Sequence, residues 1–199
     1  KFFDIKCVKA GLNPSAVVLV ATVRALKYHG GVKIENLKEE NIEALKKGMA
    51  NLEKHVENMS KFNICPVVAL NKFATDTDAE IQLIKEKCDE LGVPMEVAEA
   101  WEKGSEGTEK LATLVAKVAE HCTCNLHPLY DWNWDVNKKI ETIAKEIYGA
   151  EAIDYTPQAK NDLKKIIELN LDKLPICVAK TQKSLSDNPK LLGRPKDFV

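Results

Sequence analysis

Short apolar runs alternate with longer amphipathic segments along most of this chain. Three of the runs lie at 16–22, 65–70 and 93–98, and the first two are rich in valine. Strands that are covered on both faces of a parallel sheet have this composition. The pattern predicts three parallel strands in one sheet, with the first two fully buried. A fourth apolar run, at 174–179, is a further strand candidate.

The segments between the runs have helical periodicity. In the segment 41–62 the apolar residues recur in steps of three and four, and these are Ile42, Leu45, Met49, Leu52, Val56 and Met59. A second amphipathic segment covers 78–91 and ends at Gly92, and a third follows residue 107. Strands that alternate with helices indicate a parallel sheet with right-handed crossovers. We therefore expect the segments 71–76 and 101–107, which we interpret as loops, to lie along one edge of the sheet.

The helical periodicity stops at 121–133, where aromatic residues become frequent. We place a boundary here, which gives a region 1–124 and a smaller segment 125–199. Asp135 is a candidate cap for one helix of the smaller segment, and Thr156 with Pro157 begins another. The predicted fold class is α/β, with a mostly parallel sheet, flanking helices and a smaller α/β C-terminal part.

Composition and charge exclude several classes of partner. The chain has 199 residues, of which 45% are hydrophobic and 30% charged, and a net charge of −1. No excess charge favours nucleic acid or anionic lipid. The apolar runs are far shorter than the roughly 20 residues that span a bilayer, and the first residues lack the features of a signal peptide. We predict a cytoplasmic protein with no nucleic-acid or membrane partner.

The chain has six cysteines, and they are scattered along the sequence. We expect no disulfide, because cysteine in or beside a strand behaves as a small apolar residue. Cys122 and Cys124, flanked by His121 and His127, are the one candidate for a metal site. Zinc sites generally need a second cysteine pair, which is absent. Reduced surface thiols are the favoured interpretation, and no metal is predicted.

Candidate chemistry is concentrated after the second and third strands. The sequence has no G-x-x-x-x-G-K-[ST], G-x-G-x-x-G, G-x-S-x-G or H-E-x-x-H motif. Asn71 and Lys72 are similar to the start of the Asn-Lys-x-Asp motif of GTPases, but Ala74 occupies the fourth position. The Asn71 amide can still hydrogen-bond a purine edge. Phe73 and Trp101 either pack in the core or clamp a flat heteroaromatic ligand.

The whole chain resembles the formate–tetrahydrofolate ligase family. The resemblance depends on motifs in the family's order along the chain, which are 1–6, 18–27 with 29–31, 51–55, 71–77, 101–107, 128–131, 146–150, 174–182 and 192–195. The best of them are Asn-Lys-Phe-Ala-Thr-Asp-Thr at 71–77 and Trp-Glu-Lys-Gly-Ser-Glu-Gly at 101–107.

This resemblance implies an ATP-dependent ligase of one-carbon metabolism with an incomplete P-loop NTPase-like lobe. Formate attacks the γ-phosphate of Mg-bound ATP to give formyl phosphate, and N10 of tetrahydrofolate takes the formyl group. By resemblance, the region 1–124 is part of the α/β region that binds nucleotide and folate. Within it, Phe73 and Trp101 sandwich the folate and Asn71 helps to form the adenine pocket. Further loop contacts are expected from Thr75, Asp76, Gly104 and Ser105. The family also implies a homotetramer for the complete enzyme.

Three departures from the family pattern change these expectations. Ala74 stands where proline is usual and Ser105 where glycine is usual, which affects the rigidity and closure of the two loops. Family members are also longer, with their phosphate loop and catalytic residues outside the part that this chain resembles. We expect a fragment without catalytic residues that is inactive in isolation. The alternative is a non-catalytic α/β module that binds a nucleotide or a pterin.

Overall fold

The structure is a computed structural model that describes residues 1–179 and 185–199. Its strands are β1 (Val17–Ala21), β2 (Pro66–Asn71) and β3 (Met95–Ala98). Its α-helices are α1 (Val8–Ala10), α2 (Val23–His29), α3 (Ile42–Lys61), α4 (Asp78–Glu90), α5 (Ala100–Lys103), α6 (Glu109–His121), α7 (Val136–Ile143) and α8 (Pro157–Glu168). π-Helical segments precede α1 and follow α7, and short 3₁₀ helices lie at Ile34–Asn36 and Glu106–Thr108.

The chain divides into two compact units. The sheet unit contains Pro14–Asn125 and Leu192–Arg194, and the helical unit contains Lys1–Asn13, Leu126–Leu191 and Pro195–Val199. The functional boundary that we place between residues 124 and 125 stays a prediction.

The sheet has the order β1-β2-β3, and both strand pairs are parallel. Leu19 of β1 pairs with Val68 of β2, and Asn71 at the end of β2 pairs with Ala98 at the end of β3. The three predicted parallel strands are therefore confirmed. β2 is the most buried strand because it has a neighbour on each side.

One expectation about β1 is wrong, because the strand is not fully buried. Val18 is 40% exposed and Val20 is 70% exposed, whereas Ala21 is buried. Alternate side chains of a strand point to the same face of the sheet, so Val18 and Val20 share one face, and this face is open at the edge strand β1. A valine-rich run does not distinguish an edge strand from a central one.

The main core lies between the sheet and the helices α2, α3 and α4. Val68 and Leu70 of β2 lie in this core with the apolar faces of the helices, namely Val23, Leu26, Leu45, Met49, Leu52, Val56, Ile84 and Cys88. α6 contacts β2 and β3. The helix predicted at 41–62 is confirmed as α3, which begins after an Asn41 cap whose side chain accepts a hydrogen bond from the Ala44 amide.

Gly30 and Gly48 allow α2 and α3 to approach until their backbones touch. A Cβ atom on Gly30 would lie 1.8 Å from the Ala44 carbonyl oxygen, and one on Gly48 would lie 1.8 Å from the Leu26 carbonyl oxygen. Real Cβ atoms cannot come so close to a backbone oxygen. The close approach at Gly30 is therefore a contact between two helices.

A buried ion pair connects α2 to the start of α4. The Lys27 ammonium lies 2.8 Å from Oε1 of Glu80, and both side chains are almost completely buried. Glu80 also accepts hydrogen bonds from the Asn41 and Thr77 amides, and the Thr77 bond completes a capping box at the start of α4. Glu80 therefore fixes the point where the segment after β2 becomes a helix.

The strand predicted at 174–179 does not form. In the helical unit the Tyr130 hydroxyl accepts the Ile176 amide proton at 2.9 Å and lies 3.3 Å from the Ile176 carbonyl. The buried Lys139 ammonium donates to the carbonyls of Trp132, Asp172 and Leu174. Side chains thus satisfy peptide groups that a neighbouring strand would otherwise pair. The described residues of the helical unit contain helices and no strand. The predicted α/β class is confirmed by the three-stranded parallel sheet and its flanking helices.

The expectation of no disulfide is also wrong. The structure joins Cys65 to Cys122, with the two Cα atoms 6.5 Å apart. Cys65 precedes β2, and Cys122 is the first residue after α6, which packs on β2 and β3. The fold therefore brings together two residues that are 57 positions apart in the sequence.

Candidate functional site

The segments that follow β2 and β3 lie side by side at the carboxyl edge of the sheet. Asn71 and Ala98 are paired at the ends of the two strands, and the Lys72 amide donates to the Ala98 carbonyl at 3.0 Å. The Lys72 ammonium lies 3.1 Å from Oε1 of Glu99. This edge is where ligands bind in open α/β sheets.

A tight turn after β2 places Phe73. The Phe73 amide donates to Oδ2 of Asp76 at 2.9 Å, and the Asp76 amide donates to the Phe73 carbonyl at the same distance. Asp76 is buried, and its Oδ1 has no hydrogen-bond partner among the described residues. Burial raises the pKa of the Asp76 carboxyl, while the hydrogen bond from Phe73 opposes this change. The carboxylate therefore shapes the turn and keeps one oxygen for another donor.

Arg24 supports the turn from α2. Its guanidinium carbon lies 4.3 Å from the centre of the half-buried Phe73 ring, and Nη2 donates to the Thr75 hydroxyl at 3.1 Å. The Nε atom of Arg24 is buried and has no partner among the described residues. Thr75, predicted as a loop contact for a ligand, therefore accepts a hydrogen bond from the protein itself. Arg24 therefore stacks on one face of Phe73 and holds the turn at Thr75.

Trp101 belongs to a helical turn rather than to the predicted loop. It lies in α5, directly after β3, and its side chain is 89% exposed. A ring this exposed is not part of the core, so the core interpretation is wrong for Trp101. Large aromatic side chains are usually buried, and an exposed one beside a strand end is typical of a ligand surface.

Charged side chains connect the two segments. Glu99 forms ion pairs with Lys103 at 2.6 Å and with Lys72 at 3.1 Å. Hydrogen bonds from Lys103 and then Lys72 hold the pKa of the Glu99 carboxyl below its ordinary value. The negative charge of Glu99 is therefore retained at neutral pH and links the β2 segment to α5.

Two glycines determine the path of the chain after α5. Gly104 has a φ of +60°, a conformation that strongly favours glycine. A Cβ atom on Gly107 would lie 2.5 Å from the Glu99 carbonyl oxygen, and the Glu99 amide donates to the Gly107 carbonyl at 2.9 Å. Ser105 leads into the 3₁₀ helix, and its carbonyl accepts hydrogen bonds from Thr108. The segment is thus folded back on Glu99, with Trp101 on the outside.

The structure brings the predicted residues to one edge in two groups. Asn71, Phe73, Thr75 and Asp76 follow β2 or end it, and Trp101, Gly104 and Ser105 follow β3. Sequence reasoning did not identify Arg24 or Glu99 as parts of this edge. Arg24 was detectable in principle, because it follows the first strand closely and parallel strands end at the same edge.

A comparison with protein families identifies one match. The family model described as formate--tetrahydrofolate ligase matches residues 1–199, which is the whole chain. The match includes both segments of the candidate site and both units of the structure. Among the described residues, no helix is both long and apolar enough to cross a membrane.

Proposed function

The chain belongs to the formate–tetrahydrofolate ligase family, and we propose that it supplies the folate-binding surface of the ATP-dependent reaction. In this proposal Phe73 and Trp101 hold the flat pterin and aminobenzoate portion of tetrahydrofolate between them. Asn71 contacts the adenine of the nucleotide. The segment after β2 is shaped around these ligands by Thr75 and Asp76. The segment after β3 is shaped by Gly104 and Ser105.

The observation that carries the proposal is the pairing of Asn71 with Ala98 at the ends of adjacent parallel strands. Phe73 and Trp101 follow these paired residues by two and three positions, so their backbones leave the sheet beside each other. The two segments are further connected by the Lys72–Glu99 ion pair. A flat ligand at this edge would have an aromatic side chain available from each segment.

The exposure of Trp101 supports the same proposal. A ring that is 89% exposed contributes little to the stability of the fold. A ligand that stacks on it removes apolar surface from water and adds a contribution of roughly 1 to 3 kcal/mol, by analogy with base stacking. Phe73 is held by Arg24 on one face, so its ring is oriented before the ligand binds.

The proposed reaction has two steps. Formate attacks the γ-phosphate of Mg-bound ATP to give formyl phosphate, and N10 of tetrahydrofolate then takes the formyl group. The 199 residues contain no glycine-rich phosphate motif, so we assign them no catalytic residue and expect no ligase activity from this chain alone. We further propose a cytoplasmic location and a homotetramer for the complete enzyme, both by analogy with the family.

Replacing Trp101 with alanine tests the folate surface. Trp101→Ala should weaken tetrahydrofolate binding by around five- to a hundredfold, because about 1.4 kcal/mol corresponds to tenfold in affinity. Trp101→Phe should retain most of the affinity because it keeps a stacking face. The affinity is measured by calorimetry on this chain and as KM in a complete enzyme that contains it, where the affinity for ATP should change much less.

Leu169→Ala is a matched control, because Leu169 is 66% exposed and lies in the helical unit. It should leave both affinities unchanged. Unfolding curves accompany each variant, and Trp101→Ala should unfold at nearly the same denaturant concentration as the wild type. Unchanged folate affinity in a folded Trp101→Ala protein would contradict the proposed role of Trp101.

A further inference from the structure

Three cysteine sulfurs meet at the edge of the sheet opposite the candidate folate site. Cys65 precedes β2, and Cys122 and Cys124 follow α6. The Sγ atoms of all three lie within 4.8 Å of one another, and all three residues are half-buried. Among the described residues, no other group of three or more candidate metal ligands lies as close together. Cys122 and Cys124 are close in sequence, whereas the third sulfur, that of Cys65, comes from a distant part of the chain.

The sulfurs lie close enough to share a single zinc-class ion. A zinc–thiolate bond is about 2.3 Å long, so two sulfurs on one tetrahedral ion lie roughly 3.8 Å apart. Sγ of Cys124 lies 3.3 Å from Sγ of Cys122, which is joined to Cys65. Once the disulfide is reduced, rotation of the three side chains can place their thiolates around one ion.

Contacts with the backbone position the sulfur of Cys124. The Cys65 amide donates to Sγ of Cys124 at 3.2 Å. The Cys124 thiol also lies 3.3 Å from the Ser15 carbonyl and 3.3 Å from Sγ of Cys122. Hydrogen bonds from the backbone therefore fix the position of Cys124 without a metal.

The cluster also opens into a cavity. The cavity has a volume of about 730 Å³, and its lining includes all three cysteines together with Lys117 and His121. Three thiolates and one divalent ion together carry a net negative charge. The positive charge of Lys117 in the cavity lining partly compensates it. The cavity leaves room for a water molecule as the fourth ligand of a tetrahedral ion.

We propose that Cys65, Cys122 and Cys124, in their reduced form, bind one thiophilic divalent cation of the zinc class. Three soft sulfur donors select such a metal over magnesium or calcium, which prefer oxygen. Each thiol that is protonated before binding releases its proton to solvent as its sulfur–metal bond forms. No oxidant or reductant takes part in the binding step.

The Cys65–Cys122 disulfide and the metal site are alternative states of the same sulfurs. A disulfide leaves only Cys124 as a thiolate donor, so the metal binds only after both cysteines are reduced. The site does not depend on the proposed folate function, because its three ligands lie at the amino-terminal edge of the sheet. Either proposal can fail while the other holds.

The experiment uses the 199-residue protein, fully reduced with a phosphine under anaerobic conditions and freed of metal. Titration with Zn²⁺ in competition with a chromophoric chelator should give one tightly bound ion per chain. Co²⁺ should produce a thiolate-to-metal charge-transfer band in the near ultraviolet. Metal should also protect three thiols of the wild-type protein from a thiol-specific reagent, a measurement that needs no variant.

Single replacements of Cys65, Cys122 and Cys124 by serine should each weaken binding by more than about a hundredfold, since even loss of a hydrogen bond to a metal ligand costs 10- to 100-fold. Cys177→Ser is the matched control, because Cys177 is exposed and lies in the helical unit. It should bind zinc as the wild type does. Absence of stoichiometric binding by the reduced wild type, or protection of fewer than three thiols, would overturn the proposal.

Discussion

The guanidinium of Arg24 stacks on Phe73 at 4.3 Å and also donates to the Thr75 hydroxyl. Two side chains of the segment after β2 are thus held by one residue of α2. The stack orients the Phe73 ring from the side of α2. Arg24 therefore acts on the proposed folate surface through Phe73 rather than by contact with the ligand.

We expect Arg24→Ala to weaken tetrahydrofolate binding by up to about tenfold. The variant loses a cation–π contact worth roughly 0.5 to 2 kcal/mol and a hydrogen bond worth about 1 kcal/mol, and Phe73 becomes free to rotate. Arg24→Lys should recover little of the loss, because lysine lacks the planar group that stacks. Calorimetric affinity for tetrahydrofolate is the measurement.

Arg194→Ala is the control for this prediction. Arg194 forms an ion pair with Glu57 in the same unit, and such partly exposed pairs contribute only about 0 to 1 kcal/mol. It should leave folate affinity unchanged. If Arg24→Ala also leaves it unchanged, Arg24 has no role in orienting Phe73 for the ligand.

Asp76 provides a second prediction about the same turn. Asp76→Asn retains an oxygen that can accept the Phe73 amide proton, whereas Asp76→Ala leaves that amide without its partner. We expect the alanine variant to lose about 1 to 2 kcal/mol of stability and to bind folate more weakly. The asparagine variant should keep most of the stability and most of the folate affinity. Equal loss of affinity in the two variants would indicate instead that the carboxylate contacts the ligand.

Glu80 should be one of the most sensitive positions in the sheet unit. Glu80→Gln removes the charge that compensates the buried Lys27 and should reduce the free energy of unfolding by about 3 to 5 kcal/mol at pH 7. Glu43→Gln is the control, because the Glu43–Lys46 pair is exposed and should cost at most about 1 kcal/mol. Urea unfolding measures both, and similar losses in the two variants would argue against the importance of the buried pair.

The effect of Glu80→Gln should depend on pH. Burial alone would raise the pKa of the Glu80 carboxyl, but hydrogen bonds from Lys27, Thr77 and Asn41 bring it below the ordinary 4.5. A carboxyl with a lowered pKa stabilises the fold above its unfolded-state pKa and loses this contribution as the pH falls through its folded-state pKa. The difference in stability between wild type and Glu80→Gln should therefore be constant above pH 6 or so and shrink below pH 4.5.

Lys139 provides the corresponding test in the helical unit. Lys139→Met keeps most of the apolar stem but leaves the carbonyls of Trp132, Asp172 and Leu174 without their donor. We expect a loss of about 2 to 5 kcal/mol, since each unsatisfied buried group costs roughly 1 to 3 kcal/mol. Hydrogen exchange at 131–139 and 172–176 should accelerate. Lys138→Met is the neighbouring control, because Lys138 is exposed and its ammonium stacks on Trp134. Faster exchange in both variants would contradict the role of Lys139.

Sequence patterns were sufficient for the regular part of the sheet unit. Valine-rich runs predicted β1 and β2, and the periodicity of apolar residues predicted α3. These features are local, because each depends on residues a few positions apart. The sequence also predicted that the segments containing Phe73 and Trp101 lie side by side, because this requires only that β2 and β3 are parallel neighbours.

Features that depend on distant residues were not predictable in the same way. Arg24 reaches Phe73, and Lys27 reaches Glu80, only after α2 has packed against α3 and the sheet. The apolar run at 174–179 was interpreted as a strand because its sequence does not reveal that Tyr130 and Lys139 bind its peptide groups. The cysteine pair likewise depends on where α6 ends in space.

The backbone contact between α2 and α3 at Gly48 makes the proposed folate surface sensitive to a residue that lies outside that surface. An alanine there would place its methyl group 1.8 Å from the Leu26 carbonyl oxygen, so α2 would have to retreat by roughly 1.5 Å to restore an ordinary contact. Arg24 and Lys27 lie on α2 and would move with it. One added methyl group would therefore disturb both the Phe73 stack and the buried ion pair, and sequence drift at Gly48 would be restricted by ligand affinity as well as by stability.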